Sequence, residues 1–418
     1  MLQEAEKKSR AVWWQAAVAA VVLLVLGVVA GIRVLGPAEV LTVTTSTNGR
    51  PIPRVAGTAG LLYWAPLIAG NARVFAGDRL VRVDVPYNGT TERTPSWSLR
   101  RWPQSLLGVV TSGELVISRW SDGDLVAING GDGSRAWRAT GPESAPDAGT
   151  PRERRTNEQL TWTPPDLYTA DDSAGVPLVV VRGESSVRVY EARTGTERPQ
   201  IEADCGPKSF TTADGRFACQ TSAGLSVYNL AGGAKYDWAY ADKFKADSCF
   251  LGASRCGLVR EDKAKGKAYR FTDTAVVATP QADVEGARVW GDVVFTTDGA
   301  RTATATNMET GAVVWTWPGR EYDKKLRVLA VQKDRVHLIN LDNRMVTLDQ
   351  ATGAQISLFA FGVPISKSTG EELHWTPGPA YAQDNLVVAV RRRVNASYLS
   401  PDDGYYFMHE AVAVGITE

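Results

Sequence analysis

The sequence predicts an all-β fold preceded by one membrane-spanning helix, and three observations carry that reading. Short β-type runs separated by Gly, Asn and Asp turns recur from residue 54 onward, and a single long apolar run stands before them. With 39 glycines and 13 tryptophans against only 4 methionines, the composition suits many turns and aromatic anchors better than a helical bundle.

At 418 residues, 44% hydrophobic and 22% charged, the chain can bury a sizeable core. Its 46 basic and 46 acidic side chains balance to a formal charge of zero, which gives no reason to expect nucleic acid as a partner.

The N-terminal elements come first. Residues 11–32 are apolar but for Gln15, and a helix of about 22 residues crosses a hydrocarbon core of about 30 Å. Lys7, Lys8 and Arg10 precede the run, Trp13 and Trp14 sit at its edge, and only Arg33 follows closely. That bias sets the N-terminus inside and the remainder outside, in the cytoplasmic membrane. A cleaved signal peptide is the rival reading, but its apolar core runs to about 7–15 residues and is followed by a small-residue site, which is not found after Ala30 or Gly31. The predicted organisation is a cytoplasmic tail over 1–10, a transmembrane helix over 11–35, a linker over 36–53 and an outer domain over 54–418. Within the linker, residues 41–47 read as a strand.

The outer domain repeats. Strands that precede a turn align at 80–85, 125–129, 187–191, 225–229, 268–272, 303–307, 345–349 and 410–414. An apolar strand stands upstream of each, at 74–75, 115–117, 178–181, 217–219, 256–259, 293–295, 336–339 and 386–390. The implied unit has about four strands, the mark of a β-propeller blade. One such unit cannot bury both its faces, so units stack radially and the ring must close. Eight blades of about 47 residues fit the usual length better than seven of about 54. The 41–47 strand would complete the last blade. Inserts at 140–158, 362–372 and 395–404 read as surface loops.

The clearest copy is 303–317, in which Thr310-Gly311 turns the chain between a β-branched strand and one carrying Trp315 and Trp317. Together with Asn307, and with Asp349, Thr352 and Gly353 in the next copy, it resembles the pyrroloquinoline-quinone-like β-propeller repeat. That resemblance covers nearly everything beyond the anchor. It implies that Trp137, Trp238 and Trp315 dock between blades. The repeat occurs in quinoprotein dehydrogenases and in non-enzymatic envelope scaffolds. The adjacent Cys-Cys pair typical of quinoprotein alcohol dehydrogenases is absent from this sequence, and no clear calcium-ligating set with a catalytic Asp stands out.

Cys205, Cys219, Cys249 and Cys256 read as disulfides on the outer side of a membrane. Cys249 and Cys256 flank a hairpin turn at Gly252-Ala253, with Cys205 and Cys219 the companion pair, although three connectivities are open by count. A metal site is disfavoured, because the spacings are not C-x-x-C and no histidine is near. His337, His374 and His409 lie in three separate segments and read as strand-borne or surface residues. The basic runs 152–155 and 391–393 read as solvated loops, and the sequons at Asn88 and Asn395 are common by chance. No G-x-S-x-G, Walker loop or H-E-x-x-H is present.

The expected function is a non-enzymatic binding or scaffolding module, with no catalytic residues, metal or cofactor. Its expected partners are the lipid bilayer, through the N-terminal helix, and an envelope protein. A quinone-cofactor dehydrogenase is the first alternative, and a ligand-binding sensor acting through a partner the second.

Overall fold

The computed structural model describes residues 18, 20–23, 38–44, 56–62, 66–70, 72–84, 95–145, 164, 166–232, 235–239, 244–250, 255–263, 266–321, 323–361, 377–383, 386–391 and 411–415. Two strands, β1 (Ala38–Val43) and β2 (Gly57–Leu62), precede the first hairpins. Next come β3 (Leu67–Ala69), β4 (Ala72–Ala76), β5 (Leu80–Asp84) and β6 (Pro95–Trp102), which form one antiparallel sheet with β1 added beside β6. The second sheet is β7 (Leu106–Ser112), β8 (Leu115–Trp120), β9 (Asp124–Asn129) and β10 (Arg135–Thr140). The third is β11 (Leu167–Asp171), β12 (Pro177–Arg182), β13 (Ser186–Glu191) and β14 (Ile201–Glu202).

A merged sheet follows. Its first half is β15 (Phe210–Thr211), β16 (Arg216–Thr221), β17 (Gly224–Asn229) and β18 (Lys235–Ala239). Its second half is β19 (Phe244–Phe250), β20 (Arg255–Glu261), β21 (Ala268–Phe271) and β22 (Val276–Ala278). The halves meet at one parallel pairing, Thr211 to Arg255. Three further sheets complete the set. They are β23 (Arg288–Trp290) to β26 (Val313–Trp317) through β24 (Val293–Thr297) and β25 (Ala303–Asn307); β27 (Arg327–Val331) to β30 (Gln355–Ala360) through β28 (Arg335–Ile339) and β29 (Arg344–Asp349); and β31 (Pro377–Gln383), β32 (Leu386–Arg391) and β33 (Ala411–Gly415) with β2.

Inner strands touch in succession, β3 to β7 to β11 to β15 to β20 to β23 to β27 to β31, with the second strand β20 making the contact in the fifth unit, and β31 touches β3. Four-stranded antiparallel units arranged in a closed ring make this a β-propeller. The packing explains the burial patterns. Middle strands such as β8 and β9 are covered on both faces by neighbouring units and are buried along most of their length, whereas outer strands such as β10 and β26 bury only isolated positions. Each apolar cluster is shared between consecutive units, for example Val83 and Trp97 with Trp120 and Ile128.

The aligned turn-preceding runs fall on the third strand of each unit, and the upstream runs on the second. The ring-closing strand differs from expectation. Residues 41–43 lie in β1, which pairs with β6, and it is Gly57–Leu62 that pairs with the last strand, β33. Turns joining first to second and third to fourth strands share one face, here the tight-turn face. Turns joining second to third strands, and the crossings between units, share the opposite connection face. Backbone bonds respect this division: Gly130 N–H donates to the Glu114 carbonyl on the first, and Gly141 N–H to the Gly123 carbonyl on the second.

Among the described residues no helix is long and apolar enough to cross a membrane. The span predicted over 11–35 falls largely outside them; within it, Val18 and residues 20–23 are helical and exposed. The tail over 1–10 lies wholly outside them.

Candidate functional site

The repeated turn is built from its side chains. The Asn307 carboxamide oxygen accepts the N–H of Glu309 at 3.0 Å, the N–H of Thr310 at 2.8 Å and the Thr310 hydroxyl at 3.1 Å. Asp349 repeats the pattern with Ala351 N–H, Thr352 N–H and the Thr352 hydroxyl, the last at 2.6 Å. Those bonds, the hydroxyl's first, hold the Asp349 carboxyl below its usual range. Such caps satisfy the turn backbone locally and explain why Asx and Thr occupy these positions.

Glycine closes each turn for a second reason. Gly353 has φ +72°, and a Cβ there would meet the Trp315 ring at 2.8 Å. Gly195 faces Trp137 and Gly133 faces Trp97 in the same way. Each indole N–H then donates to a carbonyl three residues before its glycine: Trp97 to Gly130 at 3.1 Å, Trp137 to Ala192 at 2.8 Å and Trp315 to Gln350 at 2.9 Å. The N–H groups of Gly130, Ala192 and Gln350 bond in turn to Glu114, Pro177 and Asp334 in their own units. The backbone of one residue therefore joins its own unit's turns to the preceding unit.

Two positions lack the indole-on-glycine contact. Trp238 still packs across to the next unit, on Phe244 and Tyr269, but the place taken elsewhere by the glycine-seated tryptophan belongs to Tyr236. The strand pairs carrying Trp137 and Trp315 contain a register shift that adds a residue, and β17–β18 has none. Trp137 and Trp315 stand eight residues after Asn129 and Asn307, whereas Trp238 stands nine after Asn229 and falls opposite Leu225, leaving Tyr236 opposite Val227. The Tyr236 hydroxyl donates to the Thr272 and Ala275 carbonyls, and burial pushes its pKa up to about 12. Gly311 faces the Gln281 side chain instead of an indole.

The sequence reading missed a latch on the connection face. Arg119, Arg182, Arg260 and Thr297 stand at equivalent ends of second strands, each opposite the first residue of an aligned third-strand run. Each donates to a carbonyl in the segment leading to the next unit: Asp166 at 3.0 Å, Cys205 at 2.6 Å, Ala282 at 2.7 Å and Leu326 at 2.9 Å. Arg119 also forms a fully buried ion pair with Asp166 at 2.8 Å. These residues stand 6, 5, 8 and 6 positions before their runs, so no fixed spacing in the sequence marked them.

The cysteines pair as Cys205–Cys219 and Cys249–Cys256. The first ties the crossing after β14 to β16. The second joins directly opposed residues of β19 and β20, with the predicted turn at Gly252-Ala253 outside the described residues. Cys249 is exposed into the central channel, where it lines a cavity of about 80 Å³ with Ser248, Arg288, Leu329, Ala330 and Ala382. Small-molecule sites commonly measure roughly 300–1,000 Å³. The polar groups around it bond to one another. The Ser248 hydroxyl accepts Val289 N–H, Arg255 pairs with Asp171 at 2.7 Å, and the Tyr381 hydroxyl reaches Thr111 and the Ile68 carbonyl.

Among the described residues no group of three His, Cys, Asp or Glu could hold a metal ion. His337 is buried on β28 between Gln332 and Thr347, and burial, with Arg335 nearby, lowers its pKa to about 3. His374, His409, both sequons, residues 152–155 and most of the three long inserts lie outside the described residues.

No family model matches the chain, and no curated protein matches it. Solved structures similar to it include the computationally designed Ika8 protein, at 13% identity and TM-score 0.43 over 87% of this chain and 98% of that one. BamB from Moraxella catarrhalis aligns at 10% identity and TM-score 0.37 over 87% and 100%. The C-terminal WD40 domain of Sif2 aligns at 10% and 0.43 over 87% and 99%. The propeller assignment rests on the sheets and their ring of contacts.

Proposed function

We propose that the chain is a non-enzymatic scaffold of the cell envelope, an eight-bladed propeller of the pyrroloquinoline-quinone-like repeat class. Residues 11–35 hold it in the cytoplasmic membrane, with the N-terminus inside and the propeller outside. The observation that carries this reading is the channel. The cavity lined by Ser248, Arg288, Leu329 and Tyr381 holds about 80 Å³, and its Ser248 and Tyr381 hydroxyls are hydrogen-bonded to Val289 N–H and the Ile68 carbonyl, which supports recognition on the two broad faces, as for rigid scaffolds that present loops. Counting the merged sheet as two units supports eight blades, and closure by β2 and β33 supports a single ring.

Crosslinking in native membranes followed by affinity purification should recover one reproducible protein partner. A partnerless, monomeric full-length chain at native levels would overturn the scaffold reading. Dye-linked oxidation on addition of pyrroloquinoline quinone and calcium would replace it with the dehydrogenase.

A further inference from the structure

We infer that the connection face of the propeller lies against the bilayer surface, leaving the tight-turn face pointing away from it. This rests on the proposed anchor and adds the orientation that anchor imposes. β6 ends at Trp102 on the connection face, and β1 runs antiparallel to it with Ala38 opposite Trp102. Thus β1 begins at the connection face. Only Gly36 and Pro37 separate Ala38 from the predicted helix ending at residue 35, three Cα steps or about 11 Å at most. The tight-turn face lies a strand's length further, roughly 17–20 Å.

The start of β1 is also fixed in place. Glu39 pairs with Arg101 at 3.1 Å and with Arg135 and Arg138, which belong to the neighbouring unit. Arg101 reaches on to Asp122 at 3.0 Å and Asp124 at 2.6 Å. Burial alone would raise the Asp124 carboxyl, but hydrogen bonds from Arg138 and Arg101 hold it below its usual range. A strand held by two units one residue from its start transmits the direction of the anchor to the whole ring.

Among the described residues beyond the N-terminal helix, the exposed apolar side chains in connections, Val284 and Leu341, and Trp102 at the close of β6 are on the connection face, while Val313 opens β26 at the tight-turn end. The others, Val40, Val43, Val314 and Ile356, belong to outer strands at the rim. Trp102 is 40% exposed with the Arg79 guanidinium 3.9 Å above its ring, an amphipathic pair suited to the headgroup level. All three long inserts leave the described chain at this face as well.

The test uses the full chain in phosphatidylcholine–phosphatidylglycerol vesicles containing headgroup spin-labelled lipid. Every native cysteine is in a disulfide, so single substitutions Val284→Cys, Leu341→Cys and Glu309→Cys take a fluorophore selectively. The expected result is quenching several-fold stronger at 284 and 341 than at 309, which lies in a tight turn. Equal or stronger quenching at 309 overturns the orientation, as does the absence of quenching anywhere in chains that float with the vesicles. A chain that fails to float sinks the anchor itself, and the orientation with it.

Discussion

Two sectors of the ring solve the same problem by different means. Where Trp97, Trp137 and Trp315 dock onto Gly133, Gly195 and Gly353, adjacent units are joined by an indole seated on a left-handed glycine and bonded to a turn carbonyl. Between β14 and β22 that device is missing. There the chain has two disulfides, the Thr211–Arg255 strand pairing, the Arg255–Asp171 ion pair and a tyrosine in the tryptophan's place. The difference teaches that where the indole dock is absent the units are joined by strand pairing and an ion pair, Thr211–Arg255 and Arg255–Asp171, while the two disulfides stiffen single units from within.

The largest expected effect comes from removing a dock. Trp137→Ala should cost about 3–5 kcal/mol in urea unfolding, because the side chain is nearly buried and leaves a cavity. A loss below about 1 kcal/mol would show that the regular sector does not depend on its indoles. Next, replacing Cys205 and Cys219 together by Ala should cost about 2–4 kcal/mol, with the loss of hydrogen-exchange protection concentrated in β14–β18. Uniform loss around the ring would erase the distinction between sectors.

Gly353→Ala should cost about 2 kcal/mol, from the left-handed backbone and the crowded Trp315 ring. The same change at Gly113, where φ is +56° but nothing lies within contact of an added Cβ, should cost only the backbone part, about 1 kcal/mol. Tyr236→Phe should lose about 1 kcal/mol for its hydroxyl bonds, with the indole docks unaffected.

At neutral pH the last effect is silent and appears only on acidification. His337 has a folded pKa near 3, below its unfolded value of about 6.5. Its contribution is therefore complete above about 6.5 and is lost as pH falls toward 3. Acidification should open β27–β30 to exchange before β15–β22, and His337→Gln should flatten that dependence.

Periodicity made the propeller legible. Two consecutive buried strands per unit leave an apolar signature that survives insertions, and all eight aligned runs fell on third strands. The Asx and Thr-Gly turns were legible because their chemistry is local. Register was not. Without an extra residue in β17–β18 it is Tyr236 that falls opposite Val227, and side-chain spacing alone does not reveal whether a strand pair carries one. The arginine latch was hidden for a related reason. Arg119 and Arg182 are buried among carbonyls contributed by distant segments, and a charged residue ending an apolar strand reads as a strand end facing solvent. The closing strand was misassigned because 41–47 and 57–62 are both short β-type runs near the anchor, and only pairing distinguishes them.

The pairing of β2 with β33 carries a temporal consequence. Gly57–Leu62 leaves the ribosome among the first parts of the domain, yet its partner Ala411–Gly415 emerges among the last. The other units can assemble from strands close in sequence, but this one waits until the rest of the ring has been made, and its strand pairing is the longest-range among the described residues. Until then β2 is an unpaired strand able to add to foreign edges, which makes it the segment that a folding helper would be expected to shield.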